Sequence, residues 1–199
     1  MAPSPPTAPP PPTAPCRNLL CTYGDQIQNF NFYQYPVYQK TGRICWSASI
    51  SSVGSSWSSA DFHTKCNSKG KTVYIARIKS AAGTYVVGGY TRQNWYSSGY
   101  ASDNYAGLFQ LEPTVFKTMA GTGSQSGYNY ALYRSNGYGP TFGGGHDWHT
   151  SSNMKTGYAN LGNTYKCRVG NYGQNACKND FTGSYSSWTI EDSEVWSEN

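Results

Sequence analysis

Residues 72–90 form two apolar runs separated by four small residues, and this pattern constrains the fold more than any other. In the first run, residues 72–79, apolar side chains occur at both odd and even positions, so a strand here would carry them on both faces. Residues 80–83, Ser-Ala-Ala-Gly, are typical of a hairpin connection to the second run, residues 84–90. Because a strand that is apolar on both faces must be covered on both sides, the pattern predicts a central strand of a β-sandwich.

The composition of the whole chain favours the same class. Charged residues make up 13% of the 199 residues, roughly half the usual share, whereas aromatic residues make up 16%. A helix-rich enzyme or a coiled coil would need more Ala, Glu, Lys and Leu, so we expect strands and turns. The net charge of +5 is spread thinly, which argues against nucleic acid as a partner, and no apolar run is long enough to predict a membrane span. Further strands are predicted at residues 106–111, 128–134, 141–148 and 188–196.

Two local signals refine this plan. Ser58 has the N-cap pattern of a short helix that ends near Cys66. In the closing strand, acidic residues interrupt the apolar alternation, so a bulge near Asp192 is predicted to turn Val195 inward. We expect Trp196 to be buried in either case.

The first fifteen residues, MAPSPPTAPPPPTAP, differ from the rest of the chain. Repeated proline fixes φ and removes backbone donors, so this segment can only be polyproline II or disordered. We interpret it as a tail that acts in assembly, through Pro5, Pro6, Pro9, Pro10, Pro11 and Pro12. Its composition also resembles O-glycosylated segments of extracellular matrix proteins, with candidate attachment at Ser4, Thr7 and Thr13. A plain or glycosylated spacer is the alternative.

The predicted organisation therefore has three parts. Residues 1–15 are the tail, residues 16–44 are an aromatic-rich extension packed on the domain, and residues 45–199 are the main domain.

The chain has six cysteines, Cys16, Cys21, Cys45, Cys66, Cys167 and Cys177. A zinc site would need close Cys-x-x-Cys or Cys/His spacings, which are absent. An even number of cysteines in a charge-poor chain is typical of an oxidising compartment and predicts secretion, although residues 1–15 hold no apolar signal-peptide core. Sequence alone leaves all pairings open, but we expect Cys45–Cys66, Cys167–Cys177 and, less firmly, Cys16–Cys21.

Several short motifs follow one another across residues 45–196, and they contain Phe62, His63, Cys66, Gly88, Gly89, Tyr90, Phe142, Gly143, Gly144, Gly145, Glu194 and Trp196. In their order and spacing these motifs resemble the TLDc domain family. The resemblance implies a mainly β fold, a two-sheet antiparallel β-sandwich with a few short helices. The better-known members are intracellular proteins linked to oxidative-stress protection and to the vacuolar proton pump, with no agreed catalytic chemistry. Because this sequence differs from them in its tail, cysteines and low charge, it looks closer to secreted-type variants of aquatic invertebrates and protists, and the pump partner is not carried over.

Two clusters have residue types that occur in catalytic or metal sites. Cys66 with His63 on one helix face would make a nucleophile and base, but a disulfide to Cys45 is the stronger interpretation. His146 and His149 would make a metal site only if a bulge turned both to one face, because residues three apart on a strand point to opposite faces. The glycines at 143–145 lack the ending of a phosphate loop and instead indicate close backbone approach.

The aromatic residues are the remaining candidate surface. Tyr and Trp offer rigid contact area with a polar tip, and we assign about half of them to the core. Those singled out are Tyr90, Trp95, Tyr96, Tyr100, Tyr128, Tyr130, Tyr133, Tyr138, Trp148 and Trp188. The favoured function is a non-enzymatic extracellular structural or adhesive protein, without cofactor or metal, that self-associates or binds matrix. A carbohydrate-binding module using exposed Tyr and Trp, and an intracellular stress-protection protein with reduced thiols, are the alternatives.

Overall fold

A computed structural model describes residues 18–30, 43–48, 54–96 and 98–198. These residues form two antiparallel sheets packed face to face, with three short α-helices. The helices are α1 (Leu19–Asn29), α2 (Ser59–Cys66) and α3 (Asn175–Asn179). The predicted two-sheet antiparallel fold with a few short helices is therefore confirmed.

The larger sheet has six strands in the order β1-β11-β2-β3-β5-β6. Their bounds are β1 Arg43–Ser47, β2 Thr72–Ser80, β3 Gly83–Thr91, β5 Gly107–Glu112, β6 Phe116–Met119 and β11 Trp188–Ser197. The predicted hairpin forms its centre, with Thr72 opposite Thr91 and Ser80 opposite Gly83.

The smaller sheet has five strands in the order β10-β9-β8-β7-β4. Their bounds are β4 Gly99–Ala101, β7 Leu132–Arg134, β8 Thr141–Phe142, β9 Trp148–Thr150 and β10 Gly157–Ala159. Strands this short leave most of the backbone to turns, as expected from a chain rich in Gly, Ser and Asn.

The core between the sheets is built from aromatic side chains. Trp148 on β9 stacks on Trp188 on β11, with ring centroids 5.0 Å apart, and so joins the two sheets. Trp95 meets Phe62 of α2 and Phe142 of β8 edge to face. Because the sheets supply few large aliphatic side chains, these rings provide most of the core volume.

The outer face of the six-stranded sheet is covered by α1. The apolar side of the helix packs over outward-facing side chains of β2, β3 and β5. Glu194 of β11 closes the helix start, since its carboxylate accepts hydrogen bonds from the backbone N–H groups of Leu19 (2.8 Å) and Leu20 (3.2 Å) and from Nε1 of Trp196 (2.8 Å). This carboxylate satisfies N–H groups that a helix N-terminus otherwise leaves unpaired.

Several local predictions are confirmed. The side chain of Ser58 accepts from the backbone N–H of Asp61 and caps α2, and the register of β11 shifts between Ile190 and Asp192. That bulge turns Val195 into the core between the sheets.

The expectation for Trp196 was wrong. It is only half-buried and lies on the outer face beside α1, because the bulge places Val195 on the inner face and its neighbour on the other.

Two predicted strands were also wrong in part. Residues 128–130 form a 3-10 turn, so the strand there is only Leu132–Arg134. The predicted strand 141–148 is interrupted by a turn at residues 143–147, where Gly143 and Gly145 adopt positive φ.

Two disulfides close the described chain, Cys45–Cys66 and Cys167–Cys177, as predicted. Cys21 is also disulfide-bonded, whereas Cys16 lies outside the described residues, as do the tail prolines, Ser4, Thr7 and Thr13. No helix in the described part of the chain is long and apolar enough to cross a membrane.

Candidate functional site: an aromatic row on the five-stranded sheet

The candidate nucleophile has a structural role. Cys66 is buried and bonded to Cys45, so it offers no thiol. The ring of His63 ties α2 to a loop, because its Nε2 lies 2.9 Å from the carbonyl oxygens of both Ser135 and Tyr138. The pair therefore anchors the loop that brings Tyr138 to the smaller sheet.

The outer face of the five-stranded sheet carries a line of aromatic rings. Side chains alternate between its two faces, so Leu132 and Trp148 enter the core while their neighbours Tyr133 and His149 point outward. Cross-strand pairing aligns these outward residues, with Tyr100 opposite Tyr133 and His149 opposite Tyr158. We call the line the aromatic row, and it consists of Tyr130, Tyr100, Tyr133, Tyr138, His146, His149, Tyr158 and Tyr185.

The rings of the row touch one another along its whole length. Successive centroids lie 4.9 Å (Tyr130–Tyr100), 5.0 Å (Tyr100–Tyr133), 6.0 Å (Tyr133–Tyr138), 4.5 Å (Tyr138–His149), 4.8 Å (His149–Tyr158) and 5.5 Å (Tyr158–Tyr185) apart. These separations are within the range of favourable aromatic contacts. The result is a continuous line of rings in which Tyr100, Tyr130 and Tyr185 are exposed, His149 is buried and the other four are half-buried.

The two histidines lie together, which the sequence did not predict. The expectation that they point to opposite faces was wrong, because the turn at 143–147 intervenes and His146 takes a positive φ of 59°. Their rings stack with centroids 5.3 Å apart and planes 19° from parallel. Nδ1 of His146 is hydrogen-bonded to the hydroxyl of Tyr158 at 2.6 Å, and Nδ1 of His149 lies 3.2 Å from Oγ1 of Thr141.

Burial disfavours the charged form of both histidines. It lowers the pKa of His146, and it lowers the pKa of His149 to about 4, with a smaller contribution from the neighbouring His146. Burial also raises the pKa of Tyr158 to about 12. No set of three or more His, Cys, Asp or Glu side chains in the described ranges is arranged to hold a metal ion.

Asp147, between the histidines, points inward and holds the next loop. Its buried carboxylate accepts from the backbone N–H groups of Asn163 (2.9 Å), Thr164 (2.8 Å) and Tyr165 (3.4 Å). Burial raises its pKa to about 8, while these hydrogen bonds act in the opposite direction. A Cβ at Gly143 would lie 2.0 Å from this carboxylate, so the turn requires glycine there, in agreement with the predicted close backbone approach.

Other motif residues also serve packing. A Cβ on Gly88 of β3 would lie 2.2 Å from the carbonyl oxygen of Tyr74, and a Cβ on Gly89 would meet the ring of Phe142 at 2.6 Å. Because these glycines have no side chain, the rings of Phe109 and Phe142 can lie directly on the sheet.

The exposed aromatic surface is made of tyrosine and not of tryptophan. Trp57 and Trp196 are half-buried, and the other four tryptophans are buried, namely Trp46, Trp95, Trp148 and Trp188. Tyr90 is also buried, beneath α1. The sequence missed Tyr158 and Tyr185 as members of the row, because three-residue strands show no periodicity.

The row has a simple chemistry. It contains six tyrosines and two histidines and no Asp, Glu, Lys or Arg side chain. Among the described residues, Lys178 lies against it, with its Nζ 5.5 Å from the ring of Tyr185. Such a surface stacks on flat apolar groups, such as a prolyl ring or the C–H face of a sugar, while its hydroxyls form hydrogen bonds.

One known family matches most of the described chain. No curated protein sequence matches the chain. The TLDc domain family matches residues 25–199, which include α1 from its second turn, both sheets and the aromatic row. The order of motifs and the two-sheet fold agree with that match, and the chain belongs to the TLDc domain family.

Proposed function

We propose that this chain is a non-enzymatic extracellular structural protein that self-associates, into filaments, through its proline-rich tail and its aromatic surface. The observation that carries the proposal is the aromatic row, a line of contacting rings of which Tyr100, Tyr130 and Tyr185 are exposed and four others are half-buried. Tyrosine-lined surfaces are the usual receptors of proline-rich segments, and such a segment stands at residues 1–15.

The remaining features support this class of function. The groups that suggest catalysis are engaged in structure, Cys66 in a disulfide and His63 in hydrogen bonds to a neighbouring loop. Disulfides persist in oxidising compartments, and the two disulfides of the described chain therefore support secretion. Extracellular matrix is then a further partner that we propose. The hydroxyls at Ser4, Thr7 and Thr13 would carry O-linked sugar there.

A carbohydrate-binding module is the second candidate. The row favours it because tyrosine rings stack on sugars and the surface is neutral, with hydroxyl groups beside the rings. A glycan array separates the two candidates, since binding of an oligosaccharide by the isolated chain without self-association would favour the module.

An intracellular stress-protection role is the third candidate, from the better-known members of the family. It requires reduced thiols, so titration of the unfolded, unreduced protein decides it. Six free thiols would support this role and overturn the extracellular proposal.

The central experiment compares particle mass. Light scattering and electron microscopy of the full chain are expected to show large assemblies, and deletion of residues 1–15 is expected to leave a monomer. An unchanged assembly, or a monomer in both cases, would remove the tail from the mechanism.

A further inference from the structure

The start of the described chain and the aromatic row lie on opposite sides of the sandwich. Leu19 and Leu20, at the start of α1, are held by Glu194 on the outer face of the six-stranded sheet. The row is on the outer face of the five-stranded sheet, with the core of both sheets between them. The described chain therefore starts on the side away from the row.

The length of the tail favours contact with another molecule. Fifteen residues of polyproline II extend about 45 Å. Packed sheets are about 10 Å apart and a helix layer adds about as much, so a path round the edge to the chain's own row uses roughly half of that length. About 22 Å is then left for the chain's own row, which crosses five strands and so spans about 19 Å, whereas a neighbouring molecule is reached without this detour and the whole tail is free for contact.

The tail has one face made entirely of proline. Polyproline II repeats every three residues, and the positions that share one face are Pro3, Pro6, Pro9, Pro12 and Pro15. The candidate sugar acceptors Ser4, Thr7 and Thr13 share a different face. A tail that docks by its proline face thus leaves its hydroxyl face pointing away from the contact.

The spacing and the charge of the two surfaces agree. One turn of polyproline II advances about 9.3 Å, and two neighbouring strand spacings cover about 9.6 Å. Prolines three apart therefore meet alternate strands, and the five strands of the sheet, about 19 Å across, accommodate three of the five prolines of the proline face. Neither surface has a charged side chain among its contact residues, so docking removes no charged group from water.

We propose that the aromatic row binds the proline face of the tail, through Pro6, Pro9 and Pro12, from a second copy of this chain. The inference rests on the proposed self-association and adds the site, the contact face and the direction. Because the described chain starts on one side of the molecule and the row lies on the other, the contact is head-to-tail and builds an open filament.

Matched variants of the full chain test each surface. The row variant is Tyr100→Ala with Tyr130→Ala, and its control is Tyr96→Ala with Tyr128→Ala, four tyrosines that are 41%, 44%, 66% and 51% exposed. The tail variant is Pro6→Ala, Pro9→Ala and Pro12→Ala, and its control changes prolines of the other two faces, Pro5→Ala, Pro10→Ala and Pro11→Ala. Light scattering is expected to show monomers for the row and tail variants and assemblies for both controls.

Mixing the row and tail variants shows whether the contact joins two molecules. One has an intact tail and the other an intact row, so an equimolar mixture forms a single junction and is expected to reach twice the monomer mass. A monomeric mixture, or a row variant that assembles like the wild type, overturns the inference while a monomeric tail variant still supports the proposed function. Assembly of the tail variant, or a monomeric wild type, overturns both.

A peptide experiment needs no substitution in the domain and so does not depend on the folding of a variant. A peptide of residues 1–15, in excess over the full chain, is expected to lower the particle mass at least tenfold by occupying the row. The same peptide with Pro6, Pro9 and Pro12 replaced by Ala is expected to have little effect. Equal effects of the two peptides, or no effect of either, would contradict the proline-face contact.

Discussion

The two outer faces of the sandwich differ in the side chains they carry and in how these side chains are shielded from water. The six-stranded sheet presents aliphatic side chains outward, Val73, Ile75, Val86 and Leu111 among them, and α1 of the same chain covers them. The five-stranded sheet presents tyrosine and histidine outward, and these rings shield one another only in part: Tyr100 is exposed, Tyr133 and Tyr158 are half-buried, and His149 is buried.

The difference follows from the chemistry of the side chains. A row of Val, Ile and Leu is unfavourable in water, so a covering element is needed before the domain is stable. Tyrosine has an apolar ring and a hydroxyl that stays hydrated, so a row of tyrosines tolerates water and still offers contact area to a partner. One face is therefore committed to folding, and the other is available for binding.

The largest expected effect tests this division by truncation. Ile75→Ala, at a fully buried position under α1, is expected to cost about 3 kcal/mol of unfolding free energy because it leaves a cavity. Tyr100→Ala, on the exposed row, is expected to cost about 1 kcal/mol or less. Urea unfolding of both variants measures the contrast. Equal losses would show that the row is part of the folding core.

The helix that covers the six-stranded sheet was not predicted, although the sequence carries a signal for it. The buried residues of α1 and of the position after it, Leu19, Tyr23, Ile27 and Phe30, recur at intervals of four, four and three, which is a helical period. It was missed because the aromatic residues that follow, up to residue 46, obscured it and because Gly24 lies inside the helix. The central hairpin was predictable because nine-residue strands show their alternation clearly.

The aromatic row, in contrast, could not be predicted from the sequence. Its strands are two or three residues long, so parity cannot be read within any one of them. The stacking of His146 on His149 depends on a glycine turn that the sequence favoured as a strand. What aligned the rings was the pairing of distant segments, for which no local sequence signal exists.

The next effect concerns the contact that holds the cover in place. Glu194→Gln replaces one acceptor oxygen with a donor NH₂ group, which faces either the N–H group of Leu19 at the Oε1 position or those of Leu20 and Trp196 at the Oε2 position. Because buried donors are left without partners, we expect a loss of about 2 kcal/mol. Glu191→Gln, an exposed position on the same strand, is the control and should change little.

Hydrogen exchange localises that effect. Amides of α1 are expected to exchange faster in Glu194→Gln, while amides of β7 and β9 beneath the row keep their wild-type protection. Uniform acceleration over both sheets would mean that the helix and the sandwich unfold as one unit, and the two faces would then not differ as described.

The smallest effect is a pH dependence that belongs to the row alone. Burial lowers the pKa of His149 to about 4 in the folded chain, while an unfolded histidine titrates near 6.5. Between these values the unfolded chain binds a proton that the folded chain does not, so stability falls as the pH falls through this window. The loss from this residue is expected to be about 1 kcal/mol at pH 5.5 relative to pH 7.5.

His149→Gln has no such proton to bind, so unfolding by urea at the two pH values should show a smaller loss than in the wild type. Asp147, whose pKa burial raises to about 8, gives the opposite slope in both proteins and cancels in the difference. Tyr158→Phe keeps the imidazole and is the matched control, with a wild-type pH dependence expected. If His149→Gln and the wild type lose the same stability on acidification, the ring is hydrated in the folded chain, and the row is more open to water than its packing indicates.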